Sequence, residues 1–186
     1  MAKKIAVIVG SLRKGSLNRQ IANQLIHVAP KTLQLSLTEI SQLPIYNPDL
    51  DEGKDIPASW TQLRHDIKTS DGVLFVTPEY NRSIPGVLKN VIDIGSRPYG
   101  QSAWDGLPGA IVSASPGAIG GFGANHHLRQ ALVFLNVPCL QQPEMYLGGA
   151  ANFFDADGNL TNEDTKKFLS KFMEVFAEWV LTHSKK

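Results

Sequence analysis

The 186-residue chain has a single cysteine, Cys139, so it can form no intramolecular disulfide and gives no reason to invoke an oxidising compartment. It also lacks an excess of charge of one sign: 18 Lys and Arg against 17 Asp and Glu leave a net charge of +1. That balance removes the electrostatic footprint of a nucleic-acid binder and of a polybasic membrane anchor. No apolar run approaches the ~18 residues of a membrane span. The stretch Ile5–Val9 behind Lys3-Lys4 is too short for a signal-peptide core, and the expected location is cytoplasmic. No repeat, linker or low-complexity tract divides the chain. With 42% apolar and 19% charged residues, residues 1–186 are expected to form one globular domain.

Several motifs are missing as well. Gly10-x-x-x-x-Gly15 begins like a phosphate-binding P-loop, but Ser16-Leu17 stand where Lys and a Ser or Thr are required. The lysine that reaches the terminal phosphates is therefore not in place, and a nucleoside triphosphate is disfavoured. The dinucleotide pattern G-x-G-x-x-G is absent both there and in Gly117–Gly123. Ser115 is no nucleophile elbow, because G-x-S-x-G needs glycine where Ser113 stands. Asp155-x-Asp157 fails as an EF-hand, which needs Gly and Glu where Leu160 and Lys166 occur; Asp157-Gly158 reads instead as a tight turn. His126 and His127 are adjacent, diverge by ~100° on a helix and cannot share a metal. They read as surface or interface residues. Cys139, among Val137, Pro138 and Leu140, reads as a small buried hydrophobe rather than a thiolate.

What the chain does contain is alternation. Ile5–Val9, Val73–Val76 and Ala110–Val112 are continuous apolar runs, as strands buried on both faces require. Leu33–Leu37 alternates, and Pro138-Cys139-Leu140 opens a weaker fifth strand. Helical stripes lie between and after them: Ile21 to Ala29, Trp60 to Ile67, Val87 to Ile92 behind Pro85, Leu128 to Leu135, and Phe168 to Val180. This β-α order predicts an open parallel sheet with helices on both faces. Pro44 to Pro57, with Asp49, Asp51, Glu52 and Asp55, reads as a solvated connection.

Ligands of such sheets lie beyond the carboxyl ends of the strands. The first loop there, Gly10–Asn18, combines glycines, hydroxyls and two cations at the start of a helix, where free N–H groups and the helix dipole favour an anion. With triphosphates and dinucleotides disfavoured, a monophosphate with a hydroxylated, aromatic remainder fits. The second loop, Thr77–Gly86, is stiffened by two prolines and carries Tyr80 and Asn81. The third, Ser113–Ala118, has only small residues and proline, so a planar ring can lie against its backbone.

At these loops the sequence resembles the NADPH-dependent FMN reductase family of the flavodoxin-like superfamily, and within it the quinone and chromate reductases. The carriers are Gly10–Asn18, Val76–Asn81, Ile84–Asn90 and His127–Gln130. The resemblance implies a flavodoxin-like three-layer α/β sandwich with a five-stranded parallel sheet in the order 2-1-3-4-5, and FMN as cofactor. It implies that Ser11, Arg13, Ser16, Leu17 and Asn18 hold the phosphate. Pro78, Glu79, Tyr80 and Asn81 would line the ribityl chain and ring, with Ser115 and Gly117 closing the far side. Main-chain N–H groups at Ser115–Gly117 are the candidates for stabilising charge on the reduced ring. It further implies NAD(P)H as hydride donor, quinones and other small-molecule electron acceptors, with chromate and free flavins as further candidates, and a homodimer or homotetramer; a flat cofactor with a single accessible face and no separate acceptor motif points to ping-pong turnover. Arg82 and Arg97 are the candidates for a cofactor 2′-phosphate. Some relatives carry Arg and Tyr in a polar network between dimers where this chain has Gly123 and His126. The rival reading, a flavodoxin-type electron carrier, is disfavoured by the net charge, since such carriers are usually strongly acidic.

Overall fold

A computed structural model describes residues 1–53, 55–156 and 158–184. Five parallel strands form one sheet in the order β2-β1-β3-β4-β5. They are β1 (Lys3–Val9), β2 (Leu33–Leu37), β3 (Gly72–Thr77), β4 (Gly109–Ala114) and β5 (Met145–Leu147). The helices are α1 (Leu17–Val28), α2 (Pro48–Asp51), α3 (Ala58–Lys68), α4 (Gly86–Gly95), α5 (Phe122–Phe134) and α6 (Glu163–His183). Every residue of β3 and β4 is buried, as their unbroken apolar runs demand.

The sheet separates two cores. On one side α1 and α6 cover Val7, Leu74 and Val112; on the other Trp60, Leu88, Val91 and Leu128 pack against Ile8, Phe75 and Ile111. Helix α6 starts where the Asn162 side chain accepts from the Thr165 N–H at 2.8 Å, with Glu163 and Asp164 in its positively polarised first turn. Among the described residues no helix is long and apolar enough to cross a membrane.

Two expectations are corrected. The fifth strand is not at Pro138–Leu140: Cys139 makes only an isolated parallel bridge to Gly109, and pairing resumes at Met145 opposite Val112. Three residues along β4 are thus matched by six on its neighbour, and the excess, which contains Pro143, bulges out. A proline cannot donate to a ladder. The connection Pro44–Pro57 is not simply solvated. Asp51, at the end of α2, is buried and accepts two hydrogen bonds of 2.7 Å from the Arg64 guanidinium. Arg64 Nε also donates to the Ile94 carbonyl at 2.9 Å, while the Trp60 and Asn90 side chains both donate to the Pro44 carbonyl. The Asp157 turn lies outside the described residues.

Loss of one partner of a buried ion pair strands the other charge, at a cost of ~3–5 kcal/mol. Asp51→Ala is expected to lower the unfolding free energy by about that amount in urea titration, and the double variant Asp51→Ala/Arg64→Met by less. A loss under ~1 kcal/mol would class the pair with solvent-screened ones.

Cys139 is half-buried, and desolvation pushes its thiol from an ordinary 9.0 up to about 11, opposed by Arg129. The folded state therefore keeps the neutral thiol. Its contribution to stability is complete below pH 9 and is lost as pH rises towards 11. At pH 8 an aromatic disulfide reagent is expected to label the native protein roughly a hundredfold more slowly than the unfolded chain, following the thiolate fraction.

Candidate functional site

Parallel pairing sends the ends of β1, β3 and β4 to one edge of the sheet, and the loops that follow them enclose a cleft. The cleft is lined by Ser11, Arg13, Ser16, Leu17, Asn18, Pro78, Glu79, Tyr80, Ala114, Ser115 and Pro116. Nine of the eleven residues expected from sequence line it. Asn81 and Gly117 do not: both are exposed, Asn81 at the tip of a turn and Gly117 one residue past Pro116. Ala114 and Pro116 were missed. Their signal was available, since Ala114 ends β4 and Pro116 follows Ser115 in the same small-residue loop.

The first wall is a run of main-chain donors. Gly10 N–H bonds the Val76 carbonyl at 2.9 Å, and Arg19 N–H bonds the Ser16 hydroxyl oxygen at 3.2 Å. Between them, from Ser11 through Asn18, no main-chain N–H is taken by a partner among the described residues. Arg13 is exposed at this wall and forms no ion pair among the described residues. Ser11, Ser16 and Asn18 are buried. Ser16 has a structural duty as N-cap of α1, which leaves its hydroxyl hydrogen available. Asn18 donates to the Ala114 carbonyl at 3.3 Å, joining the first wall to β4, while its Oδ1 is buried with no partner among the described residues.

The second wall is tightly turned. Tyr80 and Ser83 exchange two main-chain hydrogen bonds of 2.9 Å around Asn81 and Arg82, whose φ values are +50° and +65°. Neither is glycine, so the turn is held in a left-handed conformation that costs about 1–3 kcal/mol per residue. The Glu79 carboxylate accepts from the Ala124 N–H at 3.1 Å and pairs with Arg82 at 3.3 Å. Its expected contact with a ribityl chain is therefore not through a free side chain. Ser83 Oγ lies 3.0 Å from His127 Nδ1, and His126 lies 3.0 Å from the Tyr146 hydroxyl; both histidines are exposed.

The third wall differs from expectation. Ser115 N–H bonds the Leu147 carbonyl at 3.0 Å and Pro116 has no N–H, so within Ser115–Gly117 the N–H of Gly117 is the one left without a partner among the described residues. The Ser115 hydroxyl donates to the Gly117 carbonyl at 3.0 Å. Charge on a ligand ring finds little main-chain help on this side. Arg97, which donates to Ser96 at 3.0 Å, follows the end of α4 remote from the cleft. Among the described residues no three or more His, Cys, Asp or Glu are grouped to hold a metal ion.

Comparison with known proteins agrees with this geometry. The model of the NADPH-dependent FMN reductase family matches residues 3–152. A quinone reductase of Pseudomonas putida is 60% identical over 176 residues, covering 95% of this chain and 94% of its own. A 2-hydroxy-1,4-benzoquinone reductase of a Burkholderia species is 48% identical over 180 residues, 97% of each chain. Among solved structures, a flavoenzyme NAD(P)H:(acceptor) oxidoreductase of Paracoccus denitrificans superposes with a TM-score of 0.92 at 43% identity, over 98% of this chain and 100% of its own. A flavodoxin of Pseudomonas aeruginosa, at 17% identity and a TM-score of 0.56 over 95% of this chain and 98% of its own, shares the fold alone. By its sheet order, by the donor loop at the end of β1 and by these matches, the chain belongs to the NADPH-dependent FMN reductase family.

Proposed function

We propose that this protein is a cytoplasmic, FMN-dependent NAD(P)H:quinone oxidoreductase whose cofactor occupies the cleft at the ends of β1, β3 and β4. One observation carries the reading: the N–H groups from Ser11 through Asn18, before and at the start of α1, and Arg13 beside them have no partner among the described residues. Such a cradle fits a phosphate dianion. The residues also fit the rest of FMN. Asn18 Oδ1, buried and without a partner among the described residues, suits a donor such as a ribityl hydroxyl, and Pro78, Tyr80 and Pro116 offer flat apolar surface to a ring.

In this reading Ser11, Arg13, Ser16, Leu17 and Asn18 hold the phosphate end. Pro78, Glu79, Tyr80 and Asn81 flank the remainder, and Ser115 and Gly117 edge the third wall. When bound, FMN supplies the hydride chemistry that moves two electrons from NAD(P)H to a quinone or another small acceptor such as chromate. The protein's share is to neutralise the phosphate with Arg13, to fix the ring between stiff proline-containing loops, and to leave one side of the cleft open. Donor and acceptor then take turns at the same opening. The protein acts as a homodimer or a higher assembly of dimers. The apolar side chains of Leu88, Val91 and Ile92 are spent in the core, but Val133 and Phe134 at the end of α5 are 77% and 81% exposed and suit a second copy.

The purified protein is expected to be yellow, with the visible absorption bands of an oxidised flavin. Arg13→Ala is expected to weaken FMN binding to the apoprotein roughly tenfold or more, the ~1.5–3 kcal/mol of a charge-assisted hydrogen bond. Unchanged affinity would take Arg13 out of the site. Initial rates at several fixed quinone concentrations are expected to give parallel double-reciprocal lines; intersecting lines would mean that donor and acceptor bind together. Light scattering is expected to give at least twice the 20.3 kDa chain mass.

A further inference from the structure

We propose that Glu79 is a positioning residue. By capping α5 from outside, its carboxylate fixes the Tyr80–Ser83 turn as a wall of the cleft and thereby sets the affinity for FMN. This rests on the cofactor assignment above and adds to it a cause for the shape of the second wall.

The start of α5 lacks a cap of its own. Its N-cap is Gly121, which has no side chain to accept the hydrogen bond that the third helical residue ordinarily gives. That residue is Ala124, and its N–H goes instead to Glu79 Oε2 at 3.1 Å, across 45 positions of sequence. The other oxygen, Oε1, lies 3.3 Å from Arg82, and the Glu79 side chain is only 13% exposed. A carboxylate is the preferred partner there, since the helix dipole places positive charge at that end.

The approach is built into α5 as well. A Cβ on Gly123 would lie 3.0 Å from Glu79 Oε2 and 3.0 Å from the Arg82 carbonyl oxygen. A glycine there lets the carboxylate and the turn sit against the helix. One turn further on, His127 lies 3.0 Å from Ser83 Oγ. The residues on both sides of the Asn81-Arg82 tip are thus pinned to one face of α5, at positions 124 and 127. The tip needs that support, because Asn81 and Arg82 are both left-handed without being glycine. Tyr80, between the two pins, is a residue of the cleft wall. The strut therefore ties the loop after β3 to the helix after β4, and Asn18, through the Ala114 carbonyl, ties the loop after β1 to the end of β4.

The test compares wild type, Glu79→Ala, Glu79→Gln and Gly123→Ala, each as the full chain. FMN is titrated into the apoproteins, and amide hydrogen exchange is followed without FMN. Glu79→Ala is expected to bind FMN roughly tenfold to a hundredfold more weakly, the loss of a charge-assisted hydrogen bond. Exchange is expected to quicken together in residues 79–83 and 122–126. Glu79→Gln keeps an acceptor for the Ala124 N–H and is expected to recover most of both properties. Gly123→Ala raises helix propensity but crowds the carboxylate, so it is expected to weaken FMN while leaving the melting temperature unchanged or higher. It carries the test if Glu79→Ala fails to fold. FMN affinity within twofold of wild type in both Glu79→Ala and Gly123→Ala overturns the proposal. So does weakened affinity with unchanged exchange, which would mean that the carboxylate acts on the cofactor directly, and so does a Gln variant that behaves as the Ala one. If wild type itself binds no FMN, the cofactor assignment falls, and the exchange data alone decide whether the strut holds the turn.

Discussion

Everything at the cleft depends on how closely the end of β1 lies against β3. Gly10 follows the last residue of β1, bonds the Val76 carbonyl at 2.9 Å, and has no space for a side chain: a Cβ would lie 2.9 Å from Thr77 Oγ1 and 3.1 Å from Leu88. That approach brings two loops together where the strands stop. The chain then leaves β1 with N–H groups that have no partner among the described residues, and α1 begins only at Leu17. A larger residue at this point would part the loops before any ligand was met. The charge at the cleft is secondary to this backbone contact, because Arg13 acts only from a loop whose course is already set.

The other end of the cleft relies on a different device. The bulge between Cys139 and Met145 deprives β4 of ladder partners, and side chains supply the connection. Asn125 on α5 donates to Ser113 Oγ and to the Met145 carbonyl, at 3.3 and 3.4 Å. Arg129, one turn on, donates to Asn125 Oδ1 and to the Leu140 carbonyl, at 3.0 and 2.9 Å. Buried polar groups left without such partners would cost about 1–3 kcal/mol each. The network thus fastens both flanks of the interruption to one helix, and that helix is the one whose first turn supports the second wall.

The apolar runs of β1, β3 and β4 and the stripes of five long helices made the layers and their alternation legible, because burial on both faces leaves no polar residue in a strand. Family resemblance, rather than periodicity, carried the strand order. The loop Gly10–Asn18 was legible too, since glycines, hydroxyls and cations coincide there. Other features were not. The fifth strand is three residues long, and its Met-Tyr-Leu has no pattern to separate it from Pro-Cys-Leu. Asp51 looked like one acid among several in a loop, because the arginine that buries it stands on another element. Ser115 looked like a donor until the Leu147 carbonyl, 32 positions away, was found to occupy its N–H. Each of these depends on a partner distant in sequence, which local composition does not encode.

The third wall has a further consequence, for how such a protein can diverge. Gly120, at φ +67°, would place a Cβ 2.7 Å from the Tyr146 carbonyl carbon, and a Cβ on Gly148 would collide with the Ala118 carbonyl. Two backbones here pass each other with no side chains between them. Substitution at these two glycines has almost no neutral steps, since any larger residue forces the main chains apart. In the turn on the other side, Tyr80, Asn81 and Arg82 are exposed. Steric freedom to change the shape of the cleft is therefore greater at the exposed Tyr80–Arg82 turn than at these two glycines.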